Sequence, residues 1–79
     1  MKIDHKNAMK LWAERFGKGV TEVKDRRGRI MVKTAFGDSN SDFGWNIHHI
    51  NPLRTGGTNA KENLEIVHLD THAELNGQG

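Results

Sequence analysis

Between residues 4 and 16 the apolar positions are Met9, Trp12, Ala13 and Phe16, with Leu11 beside them. That is the i, i+3, i+4, i+7 spacing of one helix face, and Gly17 and Gly19 close it. The period then changes. Residues 20–25 and 29–36 read as two strands joined by a turn at Arg26-Arg27-Gly28: Ile30 and Val32 alternate with Arg29, Met31 and Lys33, and Gly28 can supply a positive φ. A polar loop, Gly37-Asp38-Ser39-Asn40-Ser41-Asp42, follows. Its alternating Asp38, Asn40 and Asp42 imitate a calcium loop, but the central glycine and the distal bidentate glutamate are missing.

Residues 45–50 form a third predicted strand, ended by Pro52, which cannot donate to a ladder. After a turn-rich stretch from Leu53 to Asn59, residues 64–67 read as a fourth strand, antiparallel to the third. Residues 70–76 read as a short helix, with Asp70 suited to its positive end and Gly77 as its C-cap. Runs of helix and paired strands without βαβ alternation predict an α+β fold.

A chain of 79 residues with 34% hydrophobic content makes one domain with a thin core. A bound metal, a nucleic acid or a second copy of the chain would help hold it together. Cysteine is absent, so any metal must be held by His, Asp, Glu or Asn. No apolar run reads as a signal peptide or a membrane span, which makes a cytoplasmic protein the expectation. The net charge of +2 matters less than its placement: Lys24, Arg26, Arg27, Arg29 and Lys33 crowd the first hairpin. Such a patch suits a phosphate backbone; its plain alternative is a solvated hairpin with no partner.

Four of the five histidines, His48, His49, His68 and His72, lie in the last strand–loop–strand–helix unit. Neighbours on a regular strand point to opposite faces, so His48 and His49 divide the work rather than share one ion. One can face the helix and bind metal with His72, while the other addresses a water as a general base. Two imidazole ligands leave open positions for water and phosphate. His68 stands four residues before His72, the spacing of a helical metal pair, but lies at the strand–helix junction. DNA contact or support of the ligands is its expected duty, with metal binding as the alternative.

Trp45-Asn46-Ile47-His48-His49-Ile50-Asn51-Pro52, then Gly56-Gly57, Asn63-Leu64 and His72, resembles the HNH or ββα-metal endonuclease family. His49, Asn63 and His72 are its three letters, and the likeness runs from Trp45 to about Asn76. More weakly it extends upstream, over residues 25–44. The expected single domain is then an N-terminal helix (1–17), to which the resemblance adds nothing, a basic hairpin and loop (18–43), and the ββα-metal, or His-Me finger, unit (44–77) that the resemblance implies. The resemblance also implies His48 and His72 as metal ligands, His49 as general base, and Asn63 as the residue that ties the loop and orients that base. Asn76 falls where colicin-type DNases carry a further metal-binding histidine, and an asparagine there departs from that pattern. Arg54 is a candidate phosphate contact.

The expected function is metal-dependent hydrolysis of double-stranded DNA with low sequence specificity. One divalent ion (Mg, Mn, Ni, Co or Zn) would be the cofactor, and a homodimer or an accessory protein a further partner. A metal- and DNA-binding module that does not cut, or cuts only with a partner, is the alternative; an excised DNase toxin domain is another.

Overall fold

The structure, a computed structural model, describes residues 3–77. Helix α1 (His5–Phe16) begins where the Asp4 side chain accepts the Asn7 N–H at 2.9 Å, and it ends where Gly17, at φ 112°, returns its N–H to the Ala13 carbonyl. Asp4 thus caps the helix rather than opening it. The buried face is Ala8, Leu11 and Trp12, while Met9 and Phe16 pack at its margin. The predicted stripe is therefore displaced by about one position, because Trp12 lies between Phe16 and Trp45, with ring centroids 4.9 Å from each. Its indole N–H is satisfied by the Val20 carbonyl at 2.8 Å, as a buried donor requires.

Strands β1 (Glu22–Lys24) and β2 (Ile30–Val32) pair antiparallel with Val23 opposite Met31. Both are shorter than their patterns predict. At Val32 the chain leaves the ladder for a 3-10 turn (Lys33–Ala35), since the Trp45 indole N–H takes the Val32 and Lys33 carbonyls at 2.9 and 3.2 Å. The hairpin turn is organised by Asp25. One of its carboxylate oxygens accepts the N–H groups of Arg27 and Arg29, and the other accepts the N–H of His68 from the far end of the chain. Burial pushes the Asp25 carboxyl up, but these bonds and one from the Thr71 hydroxyl outweigh it and hold the group below its ordinary value.

Strands β3 (Trp45–His49) and β4 (Leu64–His68) form a second antiparallel hairpin, with Trp45 opposite His68 and His49 opposite Leu64. Trp45, Ile47, Leu64 and Ile66 turn one face into the core with Met31, Ala35 and the α1 residues. Helix α2 (Leu69–Gly77) follows β4 without a break and runs through Gly77, which is helical rather than a cap. Among the described residues the architecture is α+β, with an N-terminal helix, two separate antiparallel hairpins and a C-terminal helix. No helix of the described residues is long and apolar enough to cross a membrane.

Candidate functional site

The alternation of β3 decides which side chains meet α2. Trp45 and Ile47 are buried in the core, and the intervening positions present Asn46 and His48 to the opposite side. His48 there meets His72 of α2, with ring centroids 5.7 Å apart and planes crossed at 78°. Burial lowers the pKa of both imidazoles. At His72 the nearby His48 and His49 lower it further; at His48 the attraction of Glu65 opposes the trend without cancelling it. Both rings are thereby held in the neutral form at neutral pH, which is the form that ligates metal.

Asn76, one turn beyond His72, donates from Nδ2 to His72 Nε2 at 3.2 Å. Among the described residues, no group of three or more His, Cys, Asp or Glu side chains is placed to hold a metal ion. The donor set that does assemble is two imidazoles and an adjacent amide. Its chemistry fits a borderline divalent cation with open coordination positions better than a closed structural site.

His49, the next residue along β3, also neighbours His72 but has a hydrogen-bond partner of its own. It lines an open cleft of about 500 Å³ with Ile3, Phe36, Asn46, Leu53 and His72. Its Nε2 lies 2.7 Å from Oδ1 of Asn59, in the loop between β3 and β4. No local pattern singles out Asn59, because a turn asparagine has many local uses and only the path of the loop carries this one to His49.

Asn63 closes that loop. Its Oδ1 accepts the Asn51 N–H at 2.7 Å, and its Nδ2 donates to the carbonyls of Asn51 and Thr58 at 3.0 and 2.7 Å. Asn63 therefore bonds not to His49 but to the backbone at Asn51 and at Thr58, the residue before the Asn59 that does. Gly57 is required where the two ends of the loop cross, since a Cβ there would stand 1.7 Å from the Asn51 carbonyl oxygen. Arg54 is exposed on the 3-10 turn (Leu53–Thr55) at the tip of the same loop.

His68 takes no part in the pair. It is buried, its Nε2 donates to the Asp42 carbonyl at 2.7 Å, and its Nδ1 accepts the Asp70 N–H at 3.0 Å. With both nitrogens committed inside the chain it caps α2, and the expected DNA contact or metal ligation is set aside.

The hairpin cations are also largely committed. Arg26 pairs with Glu65, while Arg27 and Arg29 both pair with Glu74. Lys33 reaches the Lys18 carbonyl at 3.4 Å, Lys24 is exposed, and none of the five lines the cleft. The crowding of positive charge seen in the sequence is thus balanced by carboxylates from β4 and α2, a pairing between segments that no local pattern reveals.

The family model described as HNH endonuclease matches residues 37–77, which include β3, the loop, β4 and α2. No curated protein and no solved structure gives a significant match.

Proposed function

Because the chain belongs to the HNH endonuclease family, we propose that it hydrolyses DNA phosphodiester bonds, with His49 as general base beside a divalent cation held by His48 and His72. The observation that supports this reading best is the division of the His48-His49 pair. His48 meets His72 edge to face, while His49 faces a cleft and is anchored by a different partner. Two imidazole ligands favour Zn, Ni, Co or Mn over Mg, which prefers oxygen donors. Bound there, the ion would supply positive charge to a phosphate gaining negative charge.

The remaining steps belong to the side chains. His49 accepts a proton from water as the water oxygen forms its bond to phosphorus. The bond from phosphorus to the 3′ oxygen then breaks, and that oxygen takes a proton from solvent, leaving 5′-phosphate and 3′-hydroxyl ends. Arg54, at the loop tip, and Lys24 are the candidate phosphate contacts. Lys33 is a further candidate; Arg26, Arg27 and Arg29 each already answer a carboxylate, with which a phosphate would have to compete. With so few uncommitted polar side chains to read base edges, the substrate is duplex DNA cut with low sequence specificity.

The test is incubation of the purified protein with supercoiled plasmid and Mg, Mn, Co, Ni or Zn in turn. Wild type is expected to produce nicks that DNA ligase reseals. His49→Ala, at a half-exposed position, is expected to fold and to lose about 100-fold or more of the rate. DNA binding without nicking under every ion would overturn the proposal.

A further inference from the structure

A neutral imidazole carries one proton, and whichever nitrogen lacks it is the base. At His49 the neighbour of Nε2 is the amide oxygen of Asn59, at 2.7 Å. A carbonyl oxygen can only accept, so the proton resides on Nε2 and the lone pair on Nδ1. Asn59 is itself held from both sides. The carbonyl of Thr58 before it accepts from Asn63 at 2.7 Å, and the N–H of Ala60 after it donates to the Thr58 hydroxyl oxygen at 3.2 Å. The three residues make a relay in which Asn63 fixes the loop, the loop fixes Asn59, and Asn59 fixes the ring.

We infer that Asn59 is the positioning residue of this site: its amide oxygen selects the Nε2–H tautomer of His49 and so makes Nδ1 the nitrogen that accepts a proton from water. The inference rests on the reading of His49 as general base. It also assigns Asn59 a share in the rate. When Nδ1 takes the proton, the ring becomes an imidazolium and the bond from Nε2–H to Asn59 becomes charge-assisted. That bond is therefore stronger in the transition state than in the ground state, and its loss falls on kcat rather than KM.

The full-length protein labelled with nitrogen-15 provides the test, through long-range proton–nitrogen spectra of the His49 ring at about pH 8, above the ordinary histidine range. Wild type is expected to show a protonated Nε2 and a bare Nδ1. Asn59→Ala is expected to give a mixture of tautomers, and Asn59→Asp, which keeps an acceptor oxygen, to restore the single one. In plasmid nicking, Asn59→Ala is expected to lose about tenfold in kcat, the weight of one such hydrogen bond, with KM unchanged. A wild-type ring protonated on Nδ1, or an Asn59→Ala spectrum identical to wild type, would overturn the inference. The spectrum and the nicking assay fail separately. A tautomer lost with Asn59 in a protein that never cuts DNA upholds the positioning role and removes the nuclease reading.

Discussion

Arg29 grips Glu74 with both arms of its guanidinium, Nη1 to Oε1 and Nη2 to Oε2, each at 2.8 Å. The bond joins the first hairpin to α2 across 45 residues of sequence, and Arg27 adds a second cation to the same carboxylate. The Arg29 bond above all, with Arg27 behind it, holds the Glu74 carboxyl at about 2 against an ordinary 4.5. A carboxylate so depressed contributes stability that is present above its ordinary value and is lost as pH falls through the window between the two. Glu74→Gln should therefore melt several degrees below wild type at about pH 6, and the gap should close as pH falls from about 4.5 toward about 2. Added salt should narrow it as well, because the group is exposed. Circular dichroism melts over that pH range check both.

The same ion pairs separate two kinds of arginine. Arg54→Ala should weaken DNA binding several-fold and flatten the dependence of log affinity on log salt by about 0.9, the signature of one lost phosphate contact. Arg27→Ala should leave that slope unchanged and lower the melting temperature instead. Fluorescence anisotropy against salt, beside thermal melts, distinguishes them. A steeper loss of DNA affinity in Arg27→Ala than in Arg54→Ala would return the hairpin to the role its charge suggests.

Asn63→Ala removes three hydrogen bonds from the loop between β3 and β4, at a cost of about 1–3 kcal/mol. Gly57→Ala should be the more damaging change, because the Asn51 carbonyl cannot yield without moving the backbone. Both should lower nicking by kcat while His48 and His72 still bind metal. Calorimetric titration with Ni or Zn beside the nicking assay resolves the two effects.

The pairing of His48 with His72 could be foreseen because each obeys a local period: two along a strand, and a helix packed on the face that strand presents. Other features escaped for physical reasons. The end of β2 is set by the Trp45 indole, which draws off the Val32 and Lys33 carbonyls from 13 and 12 residues away. The face of α1 is phased by the Trp12 and Trp45 stack rather than by its own hydrophobic stripe. Glu65 and Glu74 meet the hairpin arginines from 39 and 45 residues away, so three cations of a run that looked free are paired. Asn59 was invisible because its meaning depends on where a loop without regular pattern sets it down.

Asn76 offers a gain-of-function prediction. Its amide contacts His72 from one helical turn away, the i, i+4 placement at which two histidines share an ion. Asn76→His should add a third imidazole and tighten Zn or Ni binding by about tenfold or more, the equivalent of about 1.4 kcal/mol. The measurement is calorimetric titration of the variant against wild type. Unchanged affinity would mean that the ion sits on the far side of His72 from Asn76.

The clamp that Asn63 places on Thr58 and Asn51 also divides the connecting segment into two provinces. The residues beyond the clamp, 52–56 with Arg54 at their crest, are exposed. Extra length inserted there carries only the mild entropy of a longer loop, about 0.6 kcal/mol for each doubling. The crest past Leu53, which lines the His49 cleft, is thus a graft point where new DNA-reading sequence could be added on the far side of the clamp from Asn59.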